Sequence, residues 1–564
     1  MAMLGMAVEE GSAAKRFWIR SRKEAVFAQY TPFVVCLTAG TLETEAFRNY
    51  IAQDVHFLKT YAQAYEMAEE CADDDDAKAA ITDLRKAVLE RLKMHNSFVQ
   101  DSVMQEWGID PTKEIVPIPA TVKYTDFLLA TTLGKVEGGK GPGKIVTPFE
   151  ETKIAAYIVG AMTPCMRLCA FLAKELQVCL QHDANGHPYK KWIENYSSES
   201  LEVAAVQIED LLDKLSVPLT GEELEVIEKL YHQAMKLEID FFSVQPIGQP
   251  AVVPLTNDPA NHLVIFSDFD LTCTVVDSSA ILAEIAILTA AKTDHSGTDN
   301  LNARSFSEMR NSWDSLSRQY TGEYEQCIES LLPKEEAKTF DYEGLCKSLG
   351  LLSDFEKQAN SRVIESGVLK GTSLDDIKRA GEHLILQDGC TDFFQNVVKK
   401  KEKLNMDLHV LSYCWCADLL RSAFSSVGCL NYLNIHTNEF NYQESISTGE
   451  IVRKMESPMD KVEAFKSILS NLGSNGKHLS VYIGDSVGDL LCLLEADVGI
   501  VIGSSTSLRR VGKQFGVSFI PLFPGLVNKQ RQINGKDSCI WKGLSGVLYT
   551  TSSWSEIEAF ILGT

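Results

Sequence analysis

The chain has 564 residues, 45% of them hydrophobic and 23% charged, and this length is too great for a single hydrophobic core. Its formal net charge of −23 at pH 7 argues against nucleic acid or an anionic membrane as a partner, but it leaves small phosphorylated substrates open. No apolar run approaches the roughly 20 residues of a membrane span, so we expect no membrane partner.

The cysteines and the N-terminal residues bear on the cellular compartment. The 14 cysteines are scattered without zinc-type pairing, and the first 25 residues contain no apolar core of a secretion signal. We therefore expect reduced thiols and a cytoplasmic protein. A longer precursor with an upstream presequence would give a mitochondrial form.

Residues 12–243 show helical periodicity and few strand signals. Apolar residues recur at intervals of three and four in segments 43–71, 77–106, 150–180, 198–213 and 220–243. This pattern predicts an all-α, bundle-like domain.

Residues 244–261 follow with four prolines, which do not fit a helix interior or a central strand, so this stretch is predicted to be a linker.

The pattern changes to short apolar runs in residues 262–564. These runs, which predict strands, are 262–267, 407–412, 479–484, 498–503 and 517–522. Near-continuous apolar strands separated by helical segments are typical of a doubly wound α/β domain with a parallel sheet. Residues 275–390, between the first two runs, are charged and helical in pattern, so we interpret them as a helical cap inserted between two strands.

Three polar residues of the helical half stand out because their neighbours are apolar. Asp54 shares a helical face with Tyr50 and other aromatic residues, Cys165 follows a proline, and Glu238 lies in the segment LEIDFF. A carboxylate in such surroundings is expected to have a raised pKa and can serve as an acid or base. The alternatives are an Asp paired at the bundle edge, a Cys that is only a small core residue, and a Glu at the solvated edge of its helix.

Two carboxylates end the first predicted strand of the second half. Asp268 directly follows the apolar run, and Asp270 comes two residues later, so both are expected to point the same way. Paired carboxylates at the end of a buried strand are costly unless a cation lies between them, and Mg²⁺ beside an anionic substrate is the natural candidate. The alternative is a strand that ends in a polar turn.

Further polar residues come at comparable places along the chain. Ser412 ends a predicted strand, Lys461 begins a helical segment, and Asp485 and Asp489 follow another apolar run. Each is a weak signal alone. Together they could project to one edge of a parallel sheet, where open α/β folds bind their ligands.

These segments together resemble the four motifs of the haloacid dehalogenase-like phosphatases: DFDLT, Ser412 of VLS, Lys461 and GDSVGD. The resemblance covers about residues 262–564. It implies that Asp268 is the nucleophile that forms an aspartyl-phosphate and that Asp270 is the general acid and then the base. It also implies that Ser412 and Lys461 bind the phosphoryl oxygens.

The same resemblance implies a Mg²⁺ cofactor. Asp268, Asp485 and the backbone carbonyl of Asp270 would hold the ion. Asp489 would be a further ligand of the ion, or it would hold the other ligands in position.

The helical half resembles the TenA family of thiaminase-like proteins, which implies a haem-oxygenase-like helical fold. The resemblance includes the segment HPYKKWIENY at 187–196. It implies that Cys165 is the nucleophile and Glu238 the proton shuttle. Asp54 would bind the pyrimidine nitrogens, and Tyr124 and Tyr196 would line the pocket.

Two positions depart from the pattern of that family. Phe57 and Cys169 stand where its members usually have tyrosines. The loss of two phenol hydroxyls is expected to weaken activity or to shift the substrate.

A TenA-like domain joined to such a phosphatase is similar to the bifunctional proteins of plant thiamin metabolism. The resemblance implies a Mg²⁺-dependent phosphatase that converts thiamin monophosphate to thiamin, and an aminopyrimidine aminohydrolase for pyrimidine salvage. It is also compatible with a homo-oligomer formed through the helical domain. Two alternatives stay open. The phosphatase could act on phosphoserine or a pyrimidine nucleotide, and the helical domain could bind or oligomerise without chemistry.

Overall fold

The computed structural model describes residues 12–100, 116–136, 148–180, 186–257, 262–295, 305–401, 404–472, 478–533 and 541–564. These residues belong to two compact units. The first unit lies within Met1–Pro254, Leu526–Lys536 and Gly563–Thr564, and the second lies within Leu255–Gly525 and Asp537–Leu562. The division at Pro254 falls inside the proline-rich stretch predicted to be a linker, the last four residues of which lie outside the described ranges.

Up to residue 254, the described secondary structure is helical. The helices are α1 (Ala13–Arg20), α2 (Arg22–Gln29), α3 (Pro32–Ala39), α4 (Thr44–Cys71), α5 (Asp75–Gln100), α6 (Pro119–Thr132), α7 (Pro148–Leu180), α8 (Lys190–Tyr196), α9 (Glu199–Ser216) and α10 (Gly221–Ser243). The five predicted helical segments correspond to α4, α5, α7, α9 and α10. The last six residues of the segment predicted at 77–106 lie outside the described part of the chain.

Helix α7 is the long apolar helix of the first unit, and it continues through Pro164. Residues Glu150–Leu180 are long and apolar enough to cross a membrane by length and composition, with a mean hydropathy of 1.5 in the most apolar window. The expectation that no apolar run approaches a membrane span is therefore wrong by this measure, because the polar residues that interrupt the run still leave its mean hydropathy high. That window is 83% buried inside the protein, as in the core helix of a bundle.

From residue 255 onward, the described part of the chain contains both strands and helices. The strands are β1 (His262–Ser267), β2 (Met406–Leu411), β3 (Asn434–His436), β4 (Glu439–Gln443), β5 (Ile446–Val452), β6 (His478–Gly484), β7 (Val498–Ile502), β8 (Ser518–Pro521) and β9 (Val547–Thr551). The helices are α11 (Ser278–His295), α12 (Phe306–Leu331), α13 (Tyr342–Ser366), α14 (Leu374–Glu382), α15 (Cys390–Lys400), α16 (Ala417–Ser426), α17 (Pro458–Asn471), α18 (Leu490–Glu495), α19 (Thr506–Gln514), α20 (Leu522–Arg531) and α21 (Trp554–Ile561).

Seven of the described strands form one parallel sheet in the order β3-β2-β1-β6-β7-β9-β8, and β4 and β5 form an antiparallel hairpin. The five predicted strands are confirmed as β1, β2, β6, β7 and β8, and the predicted fold class is confirmed with them. Helices α11 to α14 lie between β1 and β2, where the sequence predicts a helical cap.

The sheet brings the ends of three strands together. Strand β1 pairs with β2 on one side and β6 on the other, so Ser267 lies opposite both Val410 and Ile483. Because parallel strands end at the same edge, the residues that follow these strands become neighbours. The large side chains of Phe266 and Tyr482, near the ends of β1 and β6, are buried in the apolar core.

Candidate active sites

Lys461 joins two carboxylates at the carboxyl edge of the sheet. Its Nζ donates to Asp268 Oδ1 and to Asp489 Oδ1, both at 2.8 Å, and the lysine side chain is fully buried. It sits in the first turn of α17, whose N-terminus is capped by the Ser457 hydroxyl. Asp489 also accepts a hydrogen bond from the Tyr482 hydroxyl at 2.8 Å. A buried charge is costly unless it is paired, so these bonds fix the positions of the lysine and both carboxylates.

Asp268, Asp485 and Asp489 each offer an oxygen within 4.8 Å of the other two. The Thr272 hydroxyl holds Asp485 through a bond of 2.8 Å. Burial and repulsion from Asp489 raise the pKa of Asp268 well above its usual value, and the same two causes raise the pKa of Asp485 to about 7. Lys461 alone does not balance these carboxylates, so the donor set fits a divalent cation with oxygen ligands, such as Mg²⁺.

Asp270 is oriented by a single serine. Its Oδ1 accepts from the Ser278 backbone N–H at 2.7 Å, and its Oδ2 accepts from the Ser278 hydroxyl at 2.9 Å. Burial, reinforced by the negative charge of Asp277, raises the pKa of Asp270 to about 7. A carboxyl group that titrates near neutrality can both give and take a proton, which suits the acid and base role implied by the sequence.

Ser412 directly follows β2 and is fully buried. Its Oγ accepts from the Cys414 N–H at 3.0 Å, and its own N–H donates to the His436 carbonyl at 3.0 Å. The sheet thus places this serine at the same edge as Asp268. Its role in phosphate binding stays a prediction.

In the helical unit, Asp54 of α4 is the centre of a buried polar cluster. Arg91 Nη2 donates to Asp54 Oδ2 at 3.0 Å, the Tyr196 hydroxyl donates to the same oxygen at 3.3 Å, and His95 Nδ1 lies 3.4 Å from it. Tyr196 also stacks on Trp192, with ring centroids 4.1 Å apart. The alternative for Asp54, an Asp paired at the bundle edge, is wrong in its location, because the paired Asp54 is buried. Its predicted role in pyrimidine binding stays a prediction.

Arg91 and His95, both on α5, are absent from the predicted site. Burial lowers the pKa of His95 to about 4 despite the nearby Asp54, so this imidazole is neutral at physiological pH. His95 Nε2 lies 2.9 Å from the Tyr196 hydroxyl and helps to orient it. The one available signal was the spacing of four between Arg91 and His95, which places both on one face of a helix.

Cys165, Tyr124 and Glu238 meet in the same unit. The Tyr124 hydroxyl donates to Glu238 Oε1 at 2.8 Å, and the Glu238 carboxylate is close enough to repel the negative charge of a Cys165 thiolate. Burial raises the pKa of Glu238 to about 7. A hydrogen bond with Cys169, together with burial, raises the pKa of the Cys165 thiol well above its usual value. Phe57 packs on the Tyr124 ring, with centroids 4.6 Å apart.

The raised pKa of Glu238 makes a prediction about stability. The folded protein binds this proton more tightly than the unfolded chain, so the stabilisation is fully present below about pH 4.5 and is lost as pH rises through 7. The neutral variant Glu238→Gln escapes this loss. Between pH 4.5 and 8, its free energy of unfolding should rise relative to wild type by about 3 kcal/mol, as measured by denaturant titration.

Glu222→Gln supplies the matched control for this measurement. Glu222 is an exposed carboxylate on the same helix, α10, so its variant should track the wild type at every pH. If the free energies of unfolding of Glu238→Gln and wild type change in parallel with pH, the pKa of Glu238 is not raised by folding.

Parts of the chain are similar to known proteins. Residues 23–135 and 149–245 match the TENA/THI-4/PQQC family. An aminopyrimidine aminohydrolase of Helicobacter pylori is 25% identical over 214 residues, which cover 38% of this chain and 88% of that protein. A solved structure of phosphoserine phosphatase with a phospho-aspartyl intermediate analogue covers 44% of this chain and 90% of its own, at 16% identity and a TM-score of 0.28.

One match extends over nearly the whole chain, and it is to an Arabidopsis thaliana protein named bifunctional TH2 protein, mitochondrial. It is 62% identical over 554 residues, which cover 97% of this chain and 89% of that protein. The similarity therefore spans both units and not the helical unit alone. The chain belongs to the family of bifunctional TH2 proteins.

Proposed function

We propose that the second unit is a Mg²⁺-dependent phosphatase that converts thiamin monophosphate to thiamin, and that the helical unit hydrolyses an aminopyrimidine for pyrimidine salvage. The observation that carries the phosphatase is the buried Lys461, which holds Asp268 and Asp489 beside Asp485. The boundaries proposed for the parts are 12–243, 244–261 and 262–564.

In the phosphatase, an Asp268 carboxylate oxygen attacks phosphorus, and the bond from phosphorus to the alcohol oxygen breaks. Asp270 gives its proton to that oxygen, and it then takes a proton from the water that hydrolyses the aspartyl-phosphate. Lys461 keeps Asp268 in place and offsets phosphoryl charge together with the Ser412 hydroxyl. Asp268, Asp485, Asp489 and the Asp270 backbone carbonyl would hold Mg²⁺, which supplies the charge neutralisation that lets two anions approach.

In the helical unit, the Cys165 thiol is protonated at rest, so it needs a base before it can attack. Glu238 is that base, because its carboxylate lies near enough to the thiol to interact with it electrostatically and its pKa is about 7. Cys165 Sγ then attacks the carbon that joins the amine to the pyrimidine, and the amine leaves with a proton returned by Glu238. Water then attacks the same carbon and breaks its bond to Sγ, while Glu238 takes a proton from the water and returns it to the thiolate, so that the hydroxymethylpyrimidine is released and the thiol is restored. Asp54, Tyr124 and Tyr196 hold the pyrimidine, and Arg91 fixes Asp54 in its orientation.

A substrate screen tests the phosphatase proposal. Purified protein with Mg²⁺ should hydrolyse thiamin monophosphate with a kcat/KM at least about tenfold above that for phosphoserine or a pyrimidine nucleotide. EDTA should abolish turnover, and added Mg²⁺ should restore it. Equal rates on unrelated monoesters would overturn the substrate assignment.

The structure also bears on phosphoserine as the alternative substrate. Arg362 would suit a phosphoserine carboxylate, but it is paired with Glu323 at 2.6 Å.

The location and assembly of the protein follow as lesser parts of the proposal. The Arabidopsis relative is named mitochondrial, which supports a mitochondrial form of this chain. Both sites suit small-molecule substrates. Association into a homo-oligomer through the helical unit stays a prediction.

A further inference from the structure

The phosphatase site opens into a cavity that is much larger than a phosphate group. The cavity has a volume of about 560 Å³, and Asp268, Asp270 and Asp485 lie in its lining. Cavities of roughly 300–1,000 Å³ typically hold a whole small-molecule ligand. The part of the cavity beyond the carboxylates is therefore available to the leaving group of the phosphate ester.

Aromatic side chains form the walls of this outer part. Trp313 of the cap helix α12 faces Trp415, which lies in the loop after β2, with ring centroids 6.4 Å apart and planes at 88°. The Trp415 indole N–H donates to the Asn360 side chain at 3.0 Å, which fixes this ring. Tyr320 and Tyr324, also in the lining, stack on each other at 5.7 Å. Such walls suit a flat ring.

The charges of the outer part favour a cation. Glu356, Asp277 and Glu456 line the cavity, while Arg362 is the one basic side chain among the described lining residues and is already paired with Glu323. Glu356 Oε1 accepts a hydrogen bond from the Tyr320 hydroxyl at 2.9 Å, so the carboxylate is held next to the aromatic wall. Burial raises the pKa of Glu356 to about 7, and a cation beside it would stabilise its charged form.

We propose that Glu356, Trp313, Trp415 and Tyr320 form a subsite for a positively charged heteroaromatic ring on the alcohol part of the substrate. Glu356 and the aromatic faces attract the ring charge, while the carboxylates at the sheet edge act on the phosphoryl group. This inference rests on the proposed phosphatase function and names the side chains that select its substrate. The thiazolium ring of thiamin monophosphate belongs to this class of cation.

A pair of esters with matched leaving groups tests the subsite. The probes are 2-(N-methylpyridinium-4-yl)ethyl phosphate and 2-(4-methylphenyl)ethyl phosphate, which differ in ring charge but not in overall shape. Wild-type protein with Mg²⁺ should have a KM about tenfold lower for the pyridinium ester. Glu356→Gln should erase this difference by raising the KM of the cationic ester to that of the neutral one.

Glu365→Gln is the matched control, since Glu365 lies on the same helix α13 as Glu356 but is exposed and outside the cavity lining. It should keep the wild-type preference. Trp313→Leu should raise KM for both esters, more for the cationic one, while Trp313→Phe should retain most of the affinity because it keeps an aromatic face.

The outcomes separate the subsite from the phosphatase proposal. If the wild type hydrolyses both esters with the same KM, or if Glu356→Gln changes both equally, the cation subsite is overturned while the phosphatase stands. If no phosphate ester is hydrolysed at all, the phosphatase proposal itself fails. A preference for the cationic ester that depends on Glu356 supports both.

Discussion

Asp268→Asn is expected to lower phosphatase turnover by about 10⁴-fold or more, because a carboxamide cannot form the acyl-phosphate bond. The variant keeps nearly the same side-chain shape, and Lys461 keeps its bond to Asp489. Rapid-quench kinetics with thiamin monophosphate and Mg²⁺ would measure the loss. The same experiment should trap a phosphorylated protein with the wild type and none with the variant.

The folded state of this variant can be checked independently. Asp268 is buried and repelled by Asp489, so removing its charge should leave the free energy of unfolding in EDTA unchanged or higher. Asp375→Asn, at an exposed position in the first turn of α14, serves as a control that should behave as wild type in both assays. Substantial turnover by Asp268→Asn would rule out its role as nucleophile.

Burial on both faces makes the central strands of the sheet predictable from the sequence. Strands β1, β6 and β7 are almost wholly buried, and such strands appear as continuous apolar runs. The hairpin of β4 and β5 is not apparent, because its residues alternate between buried and exposed and include many polar side chains. Strand β3 has three residues, which is too short for any periodic pattern.

A site residue could be predicted where the local sequence pattern alone fixes its place in the fold. Asp268 and Asp485 directly follow buried strands, so parallel pairing alone brings them to one edge. Arg91 and its partner Asp54 lie on different helices, α5 and α4, and helical periodicity does not show which faces meet. The facing of Trp313 and Trp415 likewise depends on how the cap packs against the core, which no local pattern encodes.

Cys165→Ala is expected to abolish aminopyrimidine hydrolysis, with a loss of about 10³-fold or more, because it removes the nucleophilic sulfur. Cys165→Ser should fail as well, since a hydroxyl is far less nucleophilic than a thiolate even when Glu238 accepts its hydrogen bond. Cys179→Ala is the matched control, because Cys179 is another buried cysteine on α7. Ammonia release from an aminomethylpyrimidine would measure all four proteins.

The pH dependence of the same reaction decides whether Glu238 acts as the base. With a pKa of about 7, Glu238 loses its proton as pH rises through neutrality, so wild-type turnover should rise over the interval in which the Glu238 contribution to folding stability falls. The rise in turnover and the fall in stability have one cause, because burial raises the energy of the charged Glu238 carboxylate. The charged form destabilises the folded protein, and it is also the form that can take the thiol proton. If turnover is instead independent of pH from 6 to 8, another group takes the thiol proton. If the wild type and Cys165→Ala are equally inactive, the helical unit binds its ligand without chemistry.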